Sequence, residues 1–112
     1  VDAIVIEVAD GLLQCETAAL LDSRVFAKTV DSVIFAAGDA MGAAAGVECL
    51  QRKNLPIAAV SGRLTASPLA IIETGKITGM PVLDKAALSS QTIAEVLQIS
   101  PQMSGMRNAA AR

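Results

Sequence analysis

Carboxylate side chains recur where short apolar runs of this chain end, and these are the residues with the clearest capacity for chemistry. Glu7 lies inside the first apolar run, Asp10 and Gly11 follow it, and Asp39 follows the second. Carboxylate oxygens at strand ends can hold Mg²⁺ directly or through water. We therefore expect Glu7 and Asp10 to bind a metal ion, with Gly11 and Asp39 beside the same ligand.

The third apolar run leads into small and hydroxyl-bearing residues that could hold an anion. Ser61, Gly62 and Thr65 lie in this loop, and a helix is predicted to begin just after Ser67. Free backbone N–H groups at a helix N-terminus can bind an anion. We expect the three loop residues to contact a phosphate-bearing cofactor, with Arg63 as a candidate phosphate contact.

Most of these residues also have a purely structural interpretation. Asp10 and Asp39 are of a type that turns the chain or caps a helix, and Ser61 and Ser67 are typical turn and cap residues. Glu7 is different, because a carboxylate inside an apolar strand is costly to bury without a partner. A metal, a ligand or a basic group is therefore expected next to Glu7.

The elements that must position these residues alternate along the chain. Apolar runs at 3–8, 32–37, 56–61 and 80–83 are too continuous for half-exposed strands and predict buried parallel strands. Segments of helical spacing lie at 13–22, about 24–29, 40–53, 67–78 and 89–99. The predicted fold class is α/β: a parallel sheet of about four strands with helices on both faces, a Rossmann-like partial fold.

Parallel strands bring their carboxyl ends to one edge of the sheet, so the predicted site lies there. The groups expected to gather are Glu7 with Asp10 and Gly11, Gly38 with Asp39, Ser61 with Gly62, and Asp84. The helix over 67–78 has the clearest ends, with Ser67 as N-cap, Pro68 at the first helical position and Gly79 as terminator. Asn54 is predicted to stop the helix over 40–53.

Length and composition limit the organisation of the chain. Its 112 residues, 53% hydrophobic and only 2% aromatic, suit one domain with a closely packed aliphatic core. We expect an α/β domain over 1–100 and a flexible tail over 101–112. Because the first apolar run begins near residue 1, the chain is expected to be the C-terminal part of a larger protein, whose missing N-terminal part would be a partner.

Charge and hydropathy exclude several classes of partner. A net charge of −2, with scattered Lys and Arg, argues against nucleic acid. No apolar run reaches bilayer length and no signal peptide is evident, so we expect a cytoplasmic protein without a membrane partner. Cys15 and Cys49 lie in separate predicted helices and are expected to be buried or idle thiols rather than a disulfide or a metal site.

Residues 4–11, 33–38 and 55–62 resemble the later half of dethiobiotin-synthetase-like P-loop NTPases. A closer resemblance, to uncharacterised bacterial P-loop proteins, rests on Ala-Asp-Gly-Leu-Leu-Gln-Cys-Glu-Thr at 9–17 and Ser-Gly-Arg-Leu-Thr-Ala-Ser-Pro-Leu at 61–69. Together they cover the chain to about residue 83. This resemblance implies that Glu7 stands near a Mg²⁺-phosphate site with Asp10 beside it, and that the larger protein binds Mg-ATP.

The chain departs from that family in lacking any Gly-x-x-x-x-Gly-Lys-Ser/Thr segment. Without this phosphate cradle and its lysine, we expect no catalytic residue here and no ATP hydrolysis by this chain alone. The resemblance then implies the nucleotide-proximal part of an NTPase-like protein whose reaction is unassigned.

A second resemblance points to another class of function. Residues 33–83, ending in Gly-Met-Pro-Val-Leu, resemble small regulatory domains found beside phosphotransacetylase and histidine-protein kinase modules. This implies a ligand-sensing or dimerising module with the helix over 40–53 at an interface. A truncated sheet leaves an open edge, which predicts a homo-oligomer. A small metabolic enzyme is disfavoured, because the chain has no His and no credible nucleophile pair.

Overall fold

The computed structural model describes residues 3–97 and has a mixed α/β architecture. Its sheet consists of two parallel strands, β1 (Val33–Ala36) and β2 (Ile57–Ser61). Val82 adds a single parallel bridge to Val60 on the far side of β2. The Val60 N–H donates to the Pro81 carbonyl at 2.9 Å, and the Leu83 N–H donates to the Val60 carbonyl at 2.8 Å. The predicted strands at 32–37 and 56–61 are confirmed, and the run at 80–83 pairs only as this bridge.

Six α-helices and one short 3₁₀ turn accompany the strands within residues 3–97. The 3₁₀ turn (Arg63–Ala66) follows β2, and the helices are α1 (Cys15–Leu21), α2 (Arg24–Thr29), α3 (Ala40–Arg52), α4 (Pro68–Thr78), α5 (Lys85–Leu88) and α6 (Gln91–Val96). The helices predicted at 13–22, 24–29, 40–53 and 67–78 are confirmed. The helix predicted at 89–99 is shorter where it is described, and its last two residues and the tail at 101–112 lie outside the described residues.

The predicted helix ends are confirmed where sequence signals were strongest. The Ser67 hydroxyl accepts a hydrogen bond from the Ala70 N–H at 3.2 Å, and Pro68 occupies the first position of α4. Gly79 ends α4 in the left-handed conformation with φ 68°, and Asn54 follows α3 with φ 58°. These left-handed residues end the helices because their backbone turns away from the helix axis.

The main core places α3 and α4 on the same face of the sheet. Phe35 pairs in register with Val60, which bridges Val82, so all three side chains lie on one face. This face packs against residues of α3, α4 and the 3₁₀ turn, namely Ala43, Val47, Leu64, Ala70 and Ile71. Helices α3 and α4 therefore share one face, and helices on both faces stay a prediction. Right-handed crossovers between strands in sequential order place successive helices on the same side.

A second cluster attaches the first two helices to the end of α3. Leu21, Leu50 and Leu55 are buried together, with Phe26 and Val33 packed against them. Beside this cluster the Lys53 ammonium donates to the Asp22 carboxylate, and this hydrogen bond raises the pKa of Lys53 above its ordinary 10.5. The contact joins the C-terminal ends of α1 and α3, because Asp22 and Lys53 are their C-caps.

The strand predicted at 3–8 is not formed, which corrects the sequence-based expectation. Residues 3–9 have no regular secondary structure, and Ile4, Val5 and Ile6 are 81%, 93% and 63% exposed. A buried strand needs a pairing partner, and within the described residues no strand pairs with residues 3–8. Glu7 is accordingly exposed, so the cost of burying its carboxylate does not arise.

Two glycines allow the backbone to approach its neighbours closely. A Cβ atom at Gly46 of α3 would lie 2.2 Å from the Phe35 ring, so the absence of a side chain lets α3 pack very near the sheet. Gly62 has φ 100°, and a Cβ there would lie 2.6 Å from both the N and the O of Ala37. Both the conformation and the space at position 62 therefore require glycine.

Replacing Gly62 with alanine is expected to lower the free energy of unfolding by at least about 2 kcal/mol, because it adds left-handed strain and a backbone clash. Gly75 is the matched control, since it lies in α4 and a Cβ added there would meet nothing within 4 Å. Gly75→Ala should instead stabilise the fold by up to about 1 kcal/mol. Urea unfolding checks both values, and equal effects of the two substitutions would contradict this role of Gly62.

Candidate functional site

An open cleft of about 460 Å³ lies at the carboxyl edge of the strands. Parallel strands place their carboxyl ends together, and each of the three aligned segments contributes to this cleft. Gly38 follows β1, the 3₁₀ turn follows β2, and the start of α5 follows the bridge at Val82. The residues that line the cleft are Gly38, Arg63, Thr65, Ala66, Asp84, Lys85 and Ala86.

The 3₁₀ turn is fastened to the end of β1 by backbone hydrogen bonds. The Ala37 N–H donates to the Ser61 carbonyl at 3.0 Å, and the Leu64 N–H donates to the Ala37 carbonyl at 3.1 Å. The Leu64 side chain is buried in the main core. With Leu64 held inward, the turn presents its neighbours Arg63 and Thr65 to the cleft. The Thr65 hydroxyl donates to the Gly62 carbonyl at 2.8 Å, which stabilises the turn.

The cleft contains two cationic residues and one carboxylate. Arg63 and Lys85 are exposed, and neither forms an ion pair with another residue between 3 and 97. The Asp84 carboxylate accepts a hydrogen bond from the Ala87 N–H at 2.8 Å and so caps α5. One oxygen of this carboxylate is thus engaged by the backbone, while both cations remain available to a ligand.

Asp39 and Ser61 have structural contacts of their own. The Asp39 carboxylate accepts a hydrogen bond from the Gly42 N–H at 2.6 Å and caps α3. The buried Ser61 hydroxyl donates to the Leu83 carbonyl at 2.5 Å, which ties β2 to the neighbouring segment. Neither residue lines the cleft, although both hold the elements that form it.

Thr65 and the candidate phosphate contact Arg63 line the cleft, together with Gly38 and Asp84, which were expected at this edge. Gly62 supplies the turn that precedes Thr65, while Glu7 and Asp10 are exposed in the chain ahead of α1. Gly11 lines a different cavity of about 390 Å³, which is mainly apolar and lies between the 11–14 segment, Phe35 and α3. The structure therefore does not bring the three residues near the N-terminus together with the cleft.

The predicted metal ligands, Glu7 and Asp10, do not belong to a larger cluster of metal-binding side chains within residues 3–97. Between residues 3 and 97, no group of three or more His, Cys, Asp or Glu side chains is arranged to hold a metal ion. Cys15 is exposed and Cys49 half-buried, and both are free thiols. Glu7 and Asp10, the predicted metal ligands, are both exposed ahead of α1, and their binding of Mg²⁺ stays a prediction.

Lys85 is the cleft residue that sequence reasoning missed. Asp84 was expected at this edge because it ends the last apolar run, but α5, which begins at Lys85, was not predicted. This helix has only four residues, too few for a periodic pattern to be recognised. The available signal was an Asp that could cap a helix directly before a lysine.

Comparisons with known protein families, curated proteins and solved structures gave no match. Among the described residues, no helix has both the length and the apolar character needed to cross a membrane.

Substituting Ser61 with alanine tests whether this residue serves the fold or the ligand. We expect the free energy of unfolding to fall by about 0.5–1.5 kcal/mol, because the bond to the Leu83 carbonyl is lost. Any ligand affinity measured for the cleft should be unchanged, since the Ser61 hydroxyl is directed into the fold. Urea unfolding and calorimetric titration together check this, and a loss of affinity without a loss of stability would show a ligand contact instead.

Proposed function

We propose that this chain is a binding module for a small metabolite that carries a phosphate group. The observation that supports the proposal is the placement of Arg63 and Lys85 in a cleft at the carboxyl edge of aligned parallel segments, with neither cation in an ion pair within residues 3–97. Clefts at this edge are where open α/β sheets bind ligands.

The groups that line the cleft suit an oxyanion. The Arg63 guanidinium can donate two parallel hydrogen bonds to phosphate oxygens, and Lys85 adds a second positive charge. Gly38 lets a ligand approach the backbone, because nothing lies within 4 Å of the position that a Cβ would take. The 13-residue helix α3 begins two residues later, and its first backbone N–H groups have no partner inside the helix.

Two narrower forms of this proposal correspond to the two resemblances. In the nucleotide-proximal form the phosphate belongs to a nucleotide, and the chain contributes to binding without turnover. In the regulatory form the phosphate belongs to another metabolite, and the chain senses it. Both forms place the anionic group between Arg63 and Lys85, so they share one test of the cleft and differ in the ligand that binds tighter.

Calorimetric titration of the full chain with inorganic phosphate, and separately with ATP in the absence of metal, tests the proposal. Arg63→Ala should weaken binding by at least about tenfold, since a charge-assisted pair of hydrogen bonds is lost. Arg24→Ala is the matched control, because Arg24 is an exposed arginine of α2 outside the cleft. The affinity of this variant for either ligand should stay within about twofold of that of the unsubstituted chain.

Tighter binding of ATP than of phosphate would favour the nucleotide form, and equal affinity would favour the regulatory form. Absence of binding of both ligands to the unsubstituted chain would refute the proposal. Equal weakening by Arg63→Ala and Arg24→Ala would refute it as well, since the effect would then reflect net charge rather than the cleft.

A further inference from the structure

The chain exposes two features that match one another, an apolar segment without a strand partner and a strand edge without a neighbour. The segment is residues 3–8, and the edge is the side of β1 that faces away from β2. We propose that residues 3–8 of one copy pair as a parallel strand with this edge of β1 in a second copy, so that two copies exchange their segments. This goes beyond ligand binding and concerns a separate surface.

The free edge of β1 has the properties of a strand that accepts a partner. The Val33 N–H donates to the Pro56 carbonyl at 2.8 Å and the Ala37 N–H donates to the Ser61 carbonyl at 3.0 Å, so odd-numbered residues pair with β2. By alternation, the backbone groups of Ile34 and Ala36 point to the other side. Within residues 3–97 no strand pairs there. β1 also has no Lys, Glu or Pro, the residues that commonly block edge pairing.

Residues 3–8 have the composition of a strand and the exposure of a segment that lacks its partner. Four of the six are Ile or Val, which favour strands, and all four are exposed. Period-two alternation puts Ile4, Ile6 and Val8 on one face and Val5 with Glu7 on the other. Added beside β1, the first set would continue the apolar row of Phe35 under the helices, and Glu7 would lie on the open face.

The residues that follow the segment show where it leaves the folded part of its own chain. Gly11 and Gln14 line the apolar cavity beside Phe35, together with Gly42 in the first turn of α3. The segment therefore leaves the folded part next to β1, close to the end where α3 begins. A strand of six residues spans about 20 Å, enough to run the length of a neighbouring β1. The open space around Gly11 allows the chain to turn there.

A second copy is the occupant that these observations favour. Within one chain residues 3–9 form no strand along this edge. Reciprocal exchange gives each copy the strand it lacks through one twofold-symmetric contact, and domain swapping of this kind is a common route to dimers. Specific interfaces bury roughly 1,200 Å² or more, and this exchange would bury two segments and two edges at once.

Ile6→Lys in the full chain tests the exchange, with Leu69→Lys on α4 as the matched control. Both side chains are 63% exposed, so neither substitution disturbs the core of a single copy. We expect sedimentation velocity to show a monomer–dimer equilibrium for the unsubstituted chain. Ile6→Lys should raise the dimer dissociation constant by at least about tenfold, and Leu69→Lys should leave it within about twofold.

Amide hydrogen exchange of residues 4–8 provides the second measurement. Protection should rise with protein concentration, and Ile6→Lys should abolish this rise. A monomer at every concentration, or a dimer equally sensitive to both substitutions, would overturn the proposal. Protection that does not depend on concentration would also overturn it, because the segment would then pair with β1 of its own chain.

Discussion

The structure depends on the close approach of the β2 end to the β1 end at Gly62. Gly62 has a positive φ and no Cβ. A Cβ at this position would lie 2.6 Å from the backbone N and O of Ala37, so only glycine allows the two strand ends to come this close. The hydrogen bonds of Ala37 with Ser61 and Leu64 then hold the two strand ends together. Burial of Leu64 fixes the direction of the turn. Arg63 therefore faces the cleft because the backbone at Gly62, one residue earlier, allows this turn to form.

A second constraint is the packing of α3 and α4 on the same face of the sheet. Gly46 brings α3 onto Phe35, and α4 packs beside it against the same face of the sheet. The sheet is thus well covered on one side, while β1 keeps an unpaired edge within the described residues. The proposed ligand cleft and the proposed exchange surface follow from different parts of this arrangement, because one lies at the strand ends and the other along the outer strand.

Local signals explain which parts of the fold could be predicted from the sequence. The limits of α4 followed from Ser67, Pro68 and Gly79, whose preferences act within a few residues. The strands at 33–36 and 57–61 followed from short apolar runs. The run at 3–8 has an equally strong pattern, but a strand also requires a pairing partner, and no local signal reports whether one is present. The placement of α3 and α4 on one face likewise depends on strand order.

The site was less predictable because one residue type serves several roles. Asp39 at a strand end could bind a ligand or cap a helix, and only the bond from the Gly42 N–H shows the second role. Gly38 after β1 and the turn after β2 line the same cleft, whereas the expected placement of Glu7 and Asp10 depended on a strand that is not formed.

Binding of an anion among Arg63, Lys85 and Gly38 is tested most directly by amide chemical-shift mapping. The ¹⁵N-labelled full chain would be titrated with inorganic phosphate at constant pH and ionic strength. We predict saturable shifts centred on the amides of Gly38, Thr65 and Lys85, with the apolar cavity around Gly46 unaffected. Shifts centred on that cavity, or no saturable shifts at all, would contradict anion binding in the cleft.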